Sequence, residues 1–143
     1  MRLFSVVSLG LVSFLWLGCG DDPTPVPVTL AIVGEYADPY GTQHQISSTQ
    51  WEQRFGDDVS LYRIESFDNA QHRVIAQNDA ANAYFPSLWS RFDWLERDGV
   101  LWFCQIQYQA DSAEAAQATS APDAADPEAS GCGMGSWSRL DPQ

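Results

Sequence analysis

Between residues 29 and 110, hydrophobic and polar positions alternate over short distances, with turn-forming residues at close intervals and no long run of 3.6-residue periodicity. This pattern is typical of antiparallel β-strands. We therefore predict an all-β fold, a small antiparallel meander or barrel of about six strands. The predicted strands lie at about 28–37, 42–48, 59–67, 71–78, 87–96 and 100–109.

The connections between these strands carry recognisable turn chemistry. Pro39 and Gly41 favour a tight turn after the first strand, because proline presets φ and glycine tolerates positive φ. The segment 49–55 is predicted to form a short helical turn, because Thr49 and Glu52 have the spacing of a capping box.

The strongest local signal is the pair Asp98-Gly99, which a two-residue type I′ hairpin turn prefers. The predicted register places Leu95 opposite Trp102, Trp94 opposite Phe103, Asp93 opposite Cys104, Arg91 opposite Ile106 and Trp89 opposite Tyr108. Large aromatic residues lie on both faces of this hairpin, so we expect it to be covered on both sides.

Beyond residue 110 the composition changes. Ser112 is suited to cap a short helix over 113–118, and the segment that follows is acidic and of low complexity, typical of a solvated linker. Trp137 and Leu140 give the last residues apolar groups to bury. We therefore divide the chain into a β-domain at 29–110 and a helix, acidic segment and tail at 111–143.

The first eighteen residues are typical of an export signal: Arg2 precedes an apolar run that extends to residue 17. The site Leu17-Gly18-Cys19 resembles the lipobox of bacterial lipoproteins, although Trp16 stands where that family usually has Leu. The resemblance implies cleavage before Cys19, which would carry diacylglycerol and palmitate, and localisation to the cell envelope. The alternative is an ordinary signal peptide with Cys19 as a spare thiol. Residues 19–28 are proline-rich and predict an extended tether.

Lipidation of Cys19 would explain the odd number of cysteines. The chain has three cysteines, and the two that remain, Cys104 and Cys132, would pair in an oxidising compartment. We therefore predict a disulfide that ties the tail to the last strand of the hairpin.

Charge and composition exclude several classes of function. The net charge is −12, and without Arg2 six arginines face nineteen acidic residues, a net charge of −13. Nucleic-acid binding requires a basic face, which this chain lacks. The sequence also contains no lysine, which excludes P-loop, Schiff-base and Ser-Lys chemistry.

The best candidate for a ligand site is on the hairpin. Arg91 and Asp93 share a predicted face, and the aromatic residues expected on the same face are Trp89, Trp102 and Tyr108. Two interpretations are open. In the first, Arg91 and Asp93 form a polar pair at the floor of a ligand site lined by the three aromatics; in the second, they are a structural ion pair beside the disulfide.

The histidines give a weak signal for a metal site. His44 and His72 each lie in a predicted strand, with Asp38, Asp68 or Asp79 as possible neighbours. A zinc site needs three or four converging ligands, and the cysteines are already assigned. We therefore predict neither a metal nor a cofactor.

The first hairpin resembles the opening of calycin-type barrels. The similarity consists of residues 32–36, Ile-Val-Gly-Glu-Tyr, followed by Gly41-Thr42 and by residues 44–47, with Tyr36 where that superfamily usually has Trp. The resemblance implies a β-barrel. A lipocalin-like cavity is not expected, because about six strands are too few to enclose a ligand.

These observations favour a non-enzymatic bacterial cell-envelope lipoprotein, anchored in the membrane by its lipid, that binds a small ligand or an envelope partner. The alternative is an exported hydrolase that acts through carboxylates such as Asp93 and Glu35. A purely structural protein without a ligand is a third possibility that sequence does not separate from the first.

Overall fold

The computed structural model describes residues 28–143. The predicted signal peptide, Cys19 and nearly all of the tether lie outside the described residues. The strands are β1 Gly34–Ala37, β2 Gln43–Ile46, β3 Gln50–Phe55, β4 Asp58–Asp68, β5 Arg73–Asn78, β6 Trp89–Arg97, β7 Val100–Ala110, β8 Gly131–Cys132, β9 Gly135–Ser136 and β10 Ser138–Pro142, with one helix, α1, at Ala113–Ala118.

Eight of these strands form a closed antiparallel barrel. Strands β1 to β7 pair with their sequence neighbours, and β10 closes the barrel between β7 and β1. The short pair β8 and β9 forms a separate hairpin. The prediction of an all-β antiparallel barrel is confirmed, with two more strands in the barrel than the sequence pattern indicated.

One of the two additional strands corrects a prediction. The segment predicted as a helical turn is β3, which pairs with β2 and β4 along its length. Trp51 is fully buried in the barrel, opposite Tyr62. The Ser47 hydroxyl accepts the amide hydrogens of Thr49 and Gln50 and so forms a turn where the capping box was expected. Burial of the tryptophan therefore overrides the local helical signal.

The interior of the barrel is filled by side chains. Trp51 stacks on Phe92 with ring centroids 4.5 Å apart, and Tyr62 meets Phe92 edge to face at 5.0 Å. Eleven buried residues form this core: Leu30, Ile32, Ile46, Trp51, Tyr62, Val74, Ala76, Phe92, Trp94, Phe103 and Leu140. The barrel is thus built around a packed core, as eight strands allow.

The two ends of the barrel differ. The lower end consists of the turns at 47–49, 69–72 and 98–99, and the upper end consists of the connections at 38–42, 56–57 and 79–88. The first described residues lie at the lower end. There the Asn69 side chain donates a hydrogen bond to the Thr29 carbonyl and accepts one from the Ala31 amide. Leu30, between them, is buried in the core.

The hairpin of β6 and β7 has the predicted turn. Asp98 and Gly99 both have positive φ, as a type I′ turn requires. The predicted register is confirmed as far as Asp93 and Cys104, but two irregularities follow, so that Arg91 faces Gln107 and Trp89 faces Ala110. The predicted pairings of Arg91 with Ile106 and Trp89 with Tyr108 are wrong, because β-bulges shift the register.

The C-terminal region packs against the outside of β5 to β7. Ser112 caps α1 by accepting the Ala115 amide, as predicted. The acidic segment follows a fixed path: Arg97 donates to the carbonyls of Ala124 and Ala125, and the Trp137 indole donates to Asp123. The acidic side chains of Asp123, Asp126 and Glu128 are exposed, as expected of a solvated segment, while these hydrogen bonds hold its main chain.

The predicted disulfide between Cys104 and Cys132 is present, with the two Cα atoms 5.6 Å apart. Cys104 is buried on the outer face of β7, whereas Cys132 belongs to the short β8 and β9 hairpin. The bond therefore ties the tail to the central hairpin of the barrel.

Candidate functional site

The charged pair predicted as a site is buried on the outer face of the barrel. The Arg91 and Asp93 side chains are only 5% and 7% exposed, and two parallel hydrogen bonds of 2.8 Å join the guanidinium to the carboxylate. The remaining Arg91 nitrogen donates to the carbonyls of Gln117 and Thr119 at the end of α1. Asp93 lies directly opposite Cys104, so the geometry is that of a structural ion pair beside the disulfide.

The three aromatic residues grouped with this pair lie elsewhere. Trp89 packs beside α1 with Ile75 and Ala116. Trp102 is half-buried and lines shallow clefts next to Glu128. Tyr108 is exposed near the upper end, where its ring lies 5.0 Å from that of Phe85. The structure therefore does not bring the five predicted residues together into one cleft.

The structure does bring His44 and Asp38 together, as the sequence allowed. His44 lies on β2 with its side chain 1% exposed, and its Nε2 is 3.5 Å from Asp38 Oδ2. Its Nδ1 accepts a hydrogen bond of 3.1 Å from the Trp51 indole. The other Asp38 oxygen accepts the amides of Tyr40 and Thr42, which fixes the carboxylate in the turn after β1.

These contacts determine the chemistry of the imidazole. An indole nitrogen is only a donor, so the neutral His44 ring carries its proton on Nε2. A protonated Nε2 cannot ligate a metal, and the Nδ1 lone pair is occupied. Burial lowers the pKa of His44, and the Asp38 carboxylate offsets only part of this effect. The ring is therefore neutral near pH 7 and acts as a fixed hydrogen-bond donor.

The second histidine is remote from the first. His72 lies in the turn before β5, at the lower end, and stacks on Trp94 with ring centroids 5.5 Å apart. Within residues 28–143 no group of three or more histidine, cysteine or acidic side chains is arranged to hold a metal ion.

The upper end carries all the exposed large aromatic residues in the described part of the chain. They are Tyr40, Phe55, Tyr84, Phe85 and Tyr108, of which Tyr84 is 77% exposed. Sequence analysis singled out only Tyr108, because exposure at one end of a barrel depends on strand direction and not on local pattern.

Part of this surface has an unusual backbone conformation. Phe85 and Ser87 have φ of +51° and +64°, a region that bulky residues rarely adopt. The buried Asn78 side chain donates to the carbonyls of both Phe85 and Tyr108, at 2.8 and 2.9 Å. Its own oxygen accepts from Ser90, which in turn accepts from Gln105. A buried polar network thus holds the aromatic pair in place.

Comparisons with known proteins identify no relative: no family model, curated protein or solved structure matches the chain. The lipobox and calycin resemblances therefore stay predictions. Among residues 28–143, the only helix is too short to cross a lipid bilayer.

Proposed function

We propose that this chain is a non-enzymatic, lipid-anchored protein of the bacterial cell envelope that binds a partner protein with a basic surface through the upper end of its barrel. The proposal rests on one observation: the chain enters the barrel at one end, and the exposed aromatic residues lie at the other. The chain enters the barrel at the lower end, whereas the five exposed large aromatics of residues 28–143 lie at the upper end.

This arrangement suits an anchored protein. With a lipid on Cys19 and a proline-rich tether, the lower end would be the one next to the membrane. The upper end would then face other envelope components. Exposed aromatic clusters commonly mark interaction surfaces, and tyrosine is enriched in protein interfaces.

Charge supports a basic partner. The net charge is −12. Four of the arginines are paired with acidic side chains, in the pairs Arg54–Glu52, Arg63–Asp79, Arg91–Asp93 and Arg139–Asp141. Most acidic side chains in residues 28–143 have no such partner, so the field around the barrel is negative and favours a cationic surface.

The alternative hydrolase receives less support. Asp93 is held by Arg91 in a bidentate pair, which leaves it unsuited to proton transfer. Glu35 lies on β1 and lines a surface groove with Gln45 and Glu52, away from β6. The two carboxylates named for that function therefore do not flank a common cleft.

The anchor is tested with labelled fatty acid in a bacterial host. The wild-type protein should incorporate the label and Cys19→Ala should not. Equal labelling of the two proteins, or of neither, would contradict the anchor.

The docking surface is tested with a photoreactive amino acid placed at Tyr84 or, as a matched control, at the exposed Val33 near the lower end. Crosslinking in cells should yield one protein at position 84 and not at 33. That protein, once purified, should bind the wild type in a salt-sensitive manner and bind Tyr84→Ser/Tyr108→Ser more weakly. Equal crosslinking at both positions would refute the proposed polarity.

A further inference from the structure

A cleft on the outer surface of the barrel lies over strands β7 and β10, next to the turn after β1. Its volume is about 250 Å³, close to the lower end of the range for small-molecule sites, about 300–1,000 Å³. Its lining includes three aromatic side chains, one carboxylate and two hydroxyls: Tyr40, Trp102, Trp137, Glu128, Ser136 and Ser138. Tyr40 is exposed, Trp102 is half-buried and Trp137 is buried, so the aromatic lining extends from solvent into the surface.

The fold brings these groups together from distant parts of the chain. Trp102 lies on the outer face of β7, opposite Arg139 of β10, and Trp137 directly precedes that strand. The Trp137 amide donates to the Pro127 carbonyl at 3.0 Å. This bond holds the acidic segment against the tail, and it places the carboxylate of the next residue, Glu128, beside the rings.

A second cleft adjoins the first and adds negative charge. Its volume is about 280 Å³, and both clefts are lined by Trp102 and Glu128. Asp98 and Asp126 belong to the lining of the second cleft. None of these three carboxylates takes part in a salt bridge within residues 28–143. Three unpaired negative charges therefore lie near one indole ring.

The two guanidinium groups that border the clefts already have partners. Arg139 pairs with Asp141 at 2.8 Å, and Arg97 donates to two main-chain carbonyls. With Asp141 included, four carboxylates face two guanidinium groups around Trp102. The arginines therefore reduce the negative field at the indole without cancelling it, and the field favours a cationic ligand.

The aromatic lining favours a cation with an apolar surface. The negative face of an aromatic ring attracts positive charge, and tryptophan does so most strongly. A primary ammonium is strongly hydrated and exchanges its water for hydrogen-bond acceptors, which aromatic rings do not supply. A quaternary ammonium instead presents methyl groups, which need no acceptor and pack against rings. Aromatic sites with a nearby carboxylate suit this group.

We propose that this cleft binds a quaternary ammonium group, with the cation against the Trp102 ring and close to the Glu128 carboxylate. Free choline, glycine betaine and the phosphocholine headgroup of a lipid share this chemistry. The cleft includes Tyr40, which also belongs to the docking surface of the proposed function, but binding of a small cation does not depend on a partner protein.

The proposal is tested by ¹H–¹⁵N NMR titration of the purified protein with choline chloride, observed at the indole N–H signals of Trp102 and Trp137. Choline should shift both signals with a Kd of roughly millimolar order, because the cleft is shallow and the ligand is small. The uncharged isostere 3,3-dimethyl-1-butanol should bind about tenfold more weakly, because it lacks the cation–π and ion-pair attraction. The primary ammonium n-butylammonium should also bind more weakly than choline, and glucose should leave both signals unchanged.

Two variants each remove one feature of the site. Trp102→Leu keeps an apolar side chain but removes the ring, and it should weaken choline binding, observed at Trp137, by about fivefold or more. Glu128→Gln removes the charge and should weaken binding by about threefold. Glu65→Gln changes an exposed carboxylate on β4 and should bind choline like the wild type.

Two further titrations identify the source of the group and separate this site from the docking surface. Glycine betaine represents a soluble ligand, and glycerophosphocholine carries the lipid headgroup in soluble form; the tighter of the two indicates the source. The docking-surface variant Tyr84→Ser/Tyr108→Ser should bind choline like the wild type, so a failure of one proposal is distinguishable from a failure of the other.

The Trp137 indole also reports on folding, because its N–H donates to the Asp123 carbonyl at 2.8 Å. A native position of this signal in the unliganded variants shows that the cleft is intact. The proposal is overturned if choline leaves the Trp102 signal unchanged, if dimethylbutanol or n-butylammonium binds as tightly as choline, or if folded Trp102→Leu and Glu128→Gln both bind choline as tightly as the wild type.

Discussion

Replacing Arg91 by alanine tests whether the buried ion pair is structural. The substitution removes two hydrogen bonds to Asp93 and the donor to the carbonyls of Gln117 and Thr119. It leaves a carboxylate that is 7% exposed without its cation. Breaking a buried pair in this way costs about 3–5 kcal/mol, because the remaining charge is desolvated and unpaired.

This loss is large relative to the total stability of a small domain, which is about 5–15 kcal/mol. With an m-value of about 1.5 kcal/mol/M in urea, the unfolding midpoint should fall by roughly 2–3 M. Urea unfolding followed by tryptophan fluorescence measures this shift. Arg139→Ala, which removes an exposed pair with Asp141, is the matched control and should cost under about 1 kcal/mol.

Asp93→Ala and the double variant complete the test. If the pair acts as a unit, the double variant should be clearly less destabilised than the sum of the two single variants. A cost below about 0.5 kcal/mol for Arg91→Ala, the range of ordinary surface substitutions, would refute the structural interpretation of the pair.

Three further predictions follow from the core, the disulfide and His44. Trp94→Ala, at a buried core position, should lower the free energy of unfolding by about 3–5 kcal/mol, whereas the half-buried Trp102→Ala should cost clearly less; urea unfolding compares them. Replacing Cys104 and Cys132 by serine opens a loop with a sequence separation of 28 and should cost about 3.5 kcal/mol in the same assay. Burial lowers the pKa of His44 in the folded state below the ordinary histidine value of 6.5. As the pH falls below 6.5, the unfolded state therefore binds more protons than the folded state. Stability should therefore fall as the pH drops from 6.5 towards 5, and less steeply in His44→Gln; identical pH profiles would contradict this assignment.

The sequence predicted the features of this fold that depend on local chemistry. The turn at Asp98 and Gly99 and the cap at Ser112 are read from residue types that favour those conformations. The disulfide followed from cysteine parity and from the lipobox resemblance of Cys19. Each of these signals depends on a few neighbouring residues or on the number of cysteines.

The features that the sequence did not reveal depend on distant contacts. The strand β3 forms because Trp51 is buried against residues of other strands, and β10 becomes a barrel strand only because β1 and β7 leave a gap between them. The bulges in β7 displaced Arg91 and Trp89 from their predicted partners. A bulge of this kind adds one residue to a strand without a required sequence signature, so the register beyond it was not predictable.

The candidate site shows the same division. His44 and Asp38 were named as possible neighbours, and the structure brings them together because Asp38 lies in the turn that leads into the strand of His44. The function of Trp51 as the donor that fixes the imidazole proton was not recognised, because the segment that contains it was predicted as a helical turn. Once that segment is a strand, the pairing of β2 with β3 places the two side chains on the same face.

The C-terminal region explains how an acidic segment without large apolar side chains follows a fixed path. Its fixed points are main-chain carbonyls: Arg91 binds those of Gln117 and Thr119, Arg97 binds those of Ala124 and Ala125, and the Trp137 indole binds that of Asp123. Every residue has a carbonyl, so these contacts place no requirement on the side chains of the segment. Its carboxylates are therefore left to face solvent and contribute to the negative field, while donors from the barrel and the tail determine the path of the chain. The path of the chain in this region is thus determined by its main-chain carbonyls, whereas its charge resides on side-chain carboxylates. The composition reflects only the side chains and therefore predicted a linker.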